Sequence, residues 1–314
     1  MDRVIKCLHF IKRGALRVLY YKFMYEIVHL IAPTKAYNYL ILKHNAIIEY
    51  LNKIWINNGD DIPLPNQLLC NISDNTIWMF WWQGLDDIPE LVSICIDSVR
   101  RMSSSWNVVL ITKDNIDEYI TLPENIKNKI GSTISYTHLS DIVRITLLAA
   151  YGGFWIDSTI FLTRRLDDKQ IKSFFTVRNT PRQMLCVSEG RWSGNFMFAE
   201  KGNVLLAKMY SLIYAYWSNN NYLIDYFLID YLIEYFYRKD KRCKKIIDEV
   251  KLSNPYMYGG LLNILKSEND LIENQNIKDL FKSTYVHKLS WKENIPPCKL
   301  KWLELIITEL QDKE

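Results

Sequence analysis

The chain has 314 residues, 49% of them hydrophobic and 24% charged, the balance of a globular protein with a sizeable core. Its net charge of +4 is too small to point to nucleic acid as a partner. The aromatic share, 13% with 20 Tyr and 10 Trp, suits rings that line a carbohydrate or nucleobase site and equally suits rings that simply fill a core.

Residues 1–32 read as a helix stopped by Pro33, with Val4, Leu8, Ile11, Ala15 and Val18 at helical spacing and Arg3, Lys6, Arg13 and Arg17 around them. Such a basic amphipathic helix suits an anionic membrane surface or a stripe packed on the rest of the protein. The same charges interrupt what would be the apolar core of a secretory leader. No uncharged run approaches the ~20 residues that span a bilayer. A cytoplasmic protein, peripheral on the inner face of the cell membrane, is therefore expected. A second helix is expected over 36–56, followed by the polar, proline-bearing linker "NNGDDIPLPNQ" at 57–67. The resulting division is a helical region, 1–70, and a main domain, 71–314.

After the linker the periodicity changes. "NTIWMFWWQG" is strand-like up to Gly84, "PELVSICIDSVRRMS" is helical, "WNVVLIT" is a short buried strand and "DNIDEYI" a short helix. A helix from Ser140 and a strand "GFWIDSTIFL" follow, and strands alternating with helices predict an α/β fold with a largely parallel sheet. Beyond this point a strand over "SFFTVRN" and two helices over 203–218 and 222–239 are expected. Six cysteines stand far apart, with no CxxC pair and no histidine at ligand spacing, which reads as free thiols in a reducing compartment.

The stretch "SDIVRITLLAAYGGFWIDST" (140–159) carries the chemistry. Ser140 is a good helix N-cap, which places Asp141 and Arg144 in the first turns on one face. Gly152 and Gly153 end the helix, and the strand that follows places Asp157 at its carboxyl end, where open α/β sheets bind ligands. Each feature alone also reads as an ordinary cap, salt bridge or turn. Their conjunction favours a polar, anionic ligand such as a nucleotide-sugar.

This stretch resembles the core signature of glycosyltransferase family 32 and the capsular polysaccharide synthesis proteins related to it. "IWMFWWQG", "IPELVSICIDSVRR", "VVLITKDNIDEYITLPENI" and "YVHKLSWK" match in order and spacing, so the resemblance covers roughly residues 75–295. In length and motif order the chain is similar to the WciN-type galactosyltransferases of pneumococcal capsules. The resemblance implies a GT-A fold, Rossmann-like and nucleotide-sugar-binding, with a helical N-terminal appendage and a helical C-terminal part.

It also implies a UDP-sugar donor and retention at the anomeric carbon. The transferred sugar would be galactose from UDP-galactose, or glucose, joined by an α-1,3 bond to an undecaprenyl-diphosphate-linked glucose. By that resemblance Trp82 stacks on the uracil with Gly84 also in the donor-binding set, while Asp141 and Arg144 hold the donor ribose and sugar. Asn195 faces the donor sugar, and His287 and Lys288 lie over the diphosphate. Asp157 is the first acid of the family's Asp-x-Asp motif, and Asp230 (with Asp225) lies on the acceptor side or is an ordinary helix-face residue.

The second motif acid is Thr159 here. Mn²⁺, or Mg²⁺, is still expected, held by Asp157 with His287 or water completing the shell. The functions weighed against a transferase are a glycoside hydrolase, a non-catalytic nucleotide-sugar-binding protein and a membrane-surface adaptor. No carboxylate pair flanking a glycosidic bond stands out for the hydrolase, and the adaptor leaves the central motifs unexplained.

Overall fold

Strand β1 (Thr76–Phe80) is buried along its whole length because it has helices on both faces. Its side chains alternate between two cores: Trp78 and Phe80 pack on one side, Ile77 and Met79 on the other. The computed structural model describes residues 2–58, 72–73, 75–166, 173–179, 186–267 and 275–312. Among them the main sheet runs β2 (Asn107–Ile111), β1, β3 (Gly153–Ile156), β6 (Phe196–Ala199), β5 (Phe174–Thr176). The first three strands are parallel, the Rossmann-like half that the sequence predicts, but β6 is antiparallel to both β3 and β5. The fold is thus the expected α/β one, with a parallel-rich central sheet to which β6 adds antiparallel pairings on both its edges. β2 departs from the expected buried strand as well, since it lies at the sheet edge and only Ile111 is buried.

One face of the sheet is covered by α7 (Tyr136–Ala150), α8 (Val204–Asn219) and α9 (Leu228–Lys239), the other by α4 (Glu90–Arg101) and α13 (Pro297–Asp312). The amino-terminal residues form α1 (Asp2–Lys12), α2 (Leu16–Ile31) and α3 (Pro33–Asn58). Gly14, at φ +77°, breaks the single helix expected over 1–32 into α1 and α2. The apolar stripe divides with it: Ala15 and Val18 are buried, whereas Val4, Leu8 and Ile11 are exposed. Ile47, Leu51 and Ile54 of α3 join the same core as α8 and α9. Most of the expected linker, and the boundary at 70–71, lie outside the described residues. No helix among the described residues is long and apolar enough to cross a membrane.

The predicted strand "GFWIDSTIFL" is two strands in two sheets. β3 ends at Ile156, the chain turns through Asp157 and Ser158, and β4 (Ile160–Leu162) pairs antiparallel with β7 (Val286–Lys288) in a separate two-stranded sheet. Ser158 fixes the turn by donating its hydroxyl to the Phe80 carbonyl at 2.8 Å. The two glycines before β3 are required by their surroundings. Gly152 and Gly153 have φ of +74° and +95°, and a Cβ on Gly153 would stand 2.5 Å from the Thr76 carbonyl oxygen.

Candidate functional site

Helix α7 begins earlier than its sequence suggests. Its N-cap is Ser135, whose side chain accepts from the His138 backbone N–H, so Ser140 is an interior residue. Asp141 and Arg144 consequently lie in the middle of the helix rather than in its first turns. Thr137, Ser140, Asp141 and Arg144 still share one face, being spaced three and four apart, and that face looks across the carboxyl end of β3.

Asp157 is the hub of what meets there. Its Oδ1 accepts from Arg144 Nη2 at 3.0 Å and from the Trp155 indole at 2.8 Å, and its Oδ2 accepts from Lys288 Nζ at 2.7 Å. Lys288 also donates to the Thr159 hydroxyl at 2.7 Å. Arg144 extends the network to Asp141, 3.4 Å away, and lies 4.9 Å from the centre of the Trp155 ring. The register Ile160↔Lys288 across β4 and β7 brings together residues more than a hundred positions apart in sequence.

Two cavities open on either side of this hub, and Thr137, Ser140, Asp157 and Lys288 line both. The first, of about 390 Å³, has an aromatic wall of Phe80, Trp82, Tyr136 and Trp291, with Lys292 beside it. The ring of Trp82 lies 6.1 Å from that of Tyr136 and 6.2 Å from that of Phe80. The second, of about 480 Å³, holds Asp141, Arg144 and Asp230 together with Trp192, Asn195 and Tyr226. Gly194 completes this wall by its lack of a side chain, since a Cβ there would stand 2.9 Å from Arg144 Nη1.

The three carboxylates are held in different protonation ranges. Burial pushes Asp141 up to about 7; Arg144 opposes the rise, and Asp157 and Asp230 add to it. Burial likewise raises Asp230 to about 6, against the indole of Trp192, which donates to it at 2.8 Å, and the charge of Arg144. Asp157 goes the other way. Burial alone would raise it, but Lys288, Arg144 and the hydrogen bonds from Lys288 and Trp155 together hold it below the usual carboxylate range. Carboxylates pushed apart in this way are able to divide acid, base and electrostatic roles at one pH.

The structure thus brings Trp82, Asp141, Arg144, Asp157, Asn195, Asp230 and Lys288 to one cleft. It leaves two expected residues out. Gly84, at φ +91°, turns the chain beyond Trp82 and lies outside the cleft wall. His287, expected on the metal, is fully buried, because strand alternation points it away from its neighbour Lys288. It meets the Thr163 hydroxyl at 3.2 Å and the ring of Phe281, and burial pushes its imidazole down to about 3. Asp225 pairs with Lys43 of α3 at 3.0 Å.

A divalent cation does not fit the residues present. Among the described residues no group of three or more His, Cys, Asp and Glu side chains is placed to hold one. Both oxygens of Asp157 already accept from cations, and Thr159 offers only a hydroxyl. Sequence reasoning also missed Trp192, Tyr258 and Lys292. Trp192 was legible as a neighbour of Asn195 in "RWSGN". Tyr258, which donates to Asn195 Oδ1 at 3.3 Å, had no local signal.

Residues 31–303 match the family of capsular polysaccharide synthesis proteins. The chain is 36% identical over 107 residues to the O-glycosyltransferase braB of Annulohypoxylon truncatum, covering 31% of this chain and 25% of that protein. It is 30% identical over 103 residues to the glycosyltransferase afumC of Aspergillus fumigatus, covering 29% and 26% respectively. The match thus spans about a quarter of the length of each of these relatives. Among solved structures, the PaToxG glycosyltransferase superposes with a TM-score of 0.39 at 11% identity, over 87% of this chain and 97% of that one.

Proposed function

The chain belongs to the capsular polysaccharide synthesis protein family, and from that premise we propose that it is a retaining glycosyltransferase. It moves a hexose, galactose in our reading, from a UDP-sugar to a lipid-linked saccharide, undecaprenyl-diphosphate glucose, through an α-1,3 bond. The observation that carries this reading is the pair of cavities joined at Asp157, one aromatic and bordered by lysines, the other acidic. A nucleotide-sugar has the same division: a flat base at one end, an anionic diphosphate in the middle and a hydroxyl-rich ring at the other.

In this reading the uracil lies against Trp82 and the diphosphate at the hub beside Lys288 and Lys292. The hexose enters the acidic cavity, where carboxylates accept from its hydroxyls. The exposed rings of Tyr226 and Phe227 at its mouth suit an acceptor sugar. When the bond from C1 to the β-phosphate oxygen breaks, the electron pair stays on that oxygen. The acceptor hydroxyl bonds to C1 from the same side and gives up its proton to the departing phosphate. Lys288 and Arg144 stand where the leaving charge develops.

The acceptor is membrane-borne in this reading, and the exposed Val4, Leu8, Ile11, Leu16 and Phe23, with Arg3, Lys12 and Arg13 around them, suit an anionic bilayer surface. The test is a panel of UDP-sugars incubated with the full chain, read as UDP release. Release from UDP-galactose above all others is expected. Cleavage of a simple aryl glycoside without any nucleotide would place the chain with the hydrolases instead.

A further inference from the structure

We propose that the ammonium of Lys288 takes the seat of the divalent cation, so that the donor is bound and its leaving group stabilised without a metal ion. This rests on the nucleotide-sugar reading of the cleft and goes further, because it changes what holds the diphosphate.

The Asp-x-Asp motif of the resembled family would place a cation against two acids at positions 157 and 159. Here those positions are Asp157 and Thr159, and Lys288 Nζ lies 2.7 Å from an oxygen of each. A hard divalent ion bound to Asp157 Oδ2 at about 2.1 Å would share its immediate surroundings with that ammonium. Arg144 occupies the remaining oxygen at 3.0 Å. The threonine and the lysine therefore make one consistent arrangement: a second carboxylate is not needed to balance a single charge, and a hydroxyl suffices to orient it.

The ammonium is also equipped for the ligand. Of its three N–H groups, two are directed to Asp157 and Thr159, and the third remains for a phosphate oxygen. Its backbone is anchored on both sides, by the N–H bonded to the Met257 carbonyl at 2.9 Å and by the pairing with Ile160. Lys288 borders both cavities, at the point where a diphosphate would join base to sugar. Arg144, Lys288 and Lys292 stand together at that point, three cations for a diphosphate's two negative charges. During transfer Lys288 keeps its proton and only donates a hydrogen bond. The bond broken is that from C1 to the phosphate oxygen, and the acceptor's proton goes to the leaving group.

Calorimetric titration of the full chain with UDP tests this directly, in EDTA and in MnCl₂. Equal affinity within twofold in the two buffers is expected, together with at least a tenfold loss in Lys288→Met measured in EDTA. The double variant Thr159→Asp/Lys288→Met rebuilds a two-acid motif and should recover UDP affinity in MnCl₂ only. Affinity of the unaltered chain that drops tenfold in EDTA overturns the proposal and leaves the donor reading standing, and it does so whether or not the variants fold. Lys288→Met that binds UDP as tightly as the unaltered chain overturns it equally. No UDP binding in either buffer overturns the donor reading and this proposal together.

Discussion

Lys288 Nζ and Asp157 Oδ2 are 2.7 Å apart, and this pair ties the end of the central sheet to a strand contributed from near the carboxyl terminus. Asp157 is therefore no exposed turn residue: it neutralises Lys288 and Arg144 at once. Asp157→Asn keeps the shape and removes the charge, leaving both cations short of a partner. A loss of about 3 kcal/mol in stability is expected, visible as a lower melting temperature, with UDP release from the donor falling at least a hundredfold. Unchanged melting with activity within a few-fold of the parent would show that Asp157 organises neither fold nor site.

Trp82 offers the complementary case. It is half-buried and walls the aromatic cavity, so Trp82→Ala should leave melting almost unchanged. Base stacking on an aromatic side chain contributes ~1–3 kcal/mol, and a tenfold or greater weakening of UDP binding is the expected calorimetric result. Equal affinity would move the base away from this wall.

The pH dependence of stability follows from Asp141. Its carboxyl is raised from 3.8 to about 7 on folding, so the folded state holds the proton more tightly than the unfolded chain does. This contribution is complete below pH 3.8 and is lost as pH rises through about 7. Asp141→Asn removes the titration and should flatten the fall in melting temperature across that window, while donor turnover drops. A pH profile of melting that the substitution leaves unaltered would mean that Asp141 is not held protonated by its surroundings.

The amino-terminal helices call for point changes rather than deletion. Phe10, Ala15 and Val18 belong to the main core, so removal of residues 1–31 would damage the fold along with any membrane contact. Leu8→Glu with Ile11→Glu alters exposed positions only. Co-sedimentation with vesicles containing anionic lipid should fall several-fold, with UDP binding unaffected. Undiminished co-sedimentation would assign that face to something other than a bilayer.

By itself the sequence determined most of the elements as far as β4, though not where each breaks, and it named many of the residues that line the cleft. Short continuous apolar runs marked β1 and β3, the Gly152–Gly153 pair marked the helix end, and the strand after it placed Asp157 at a strand's carboxyl end, because these signals are local and act through neighbours along the chain. It misjudged the start of α7, since both Ser135 and Ser140 are competent caps and only the tertiary setting chooses between them. The pairing of β4 with β7 was beyond sequence reasoning for a similar reason: contact across more than a hundred residues leaves no periodic trace. That pairing decided which of two adjacent residues reaches the cleft. Alternation along β7 sends Lys288 to Asp157 and His287 into the core.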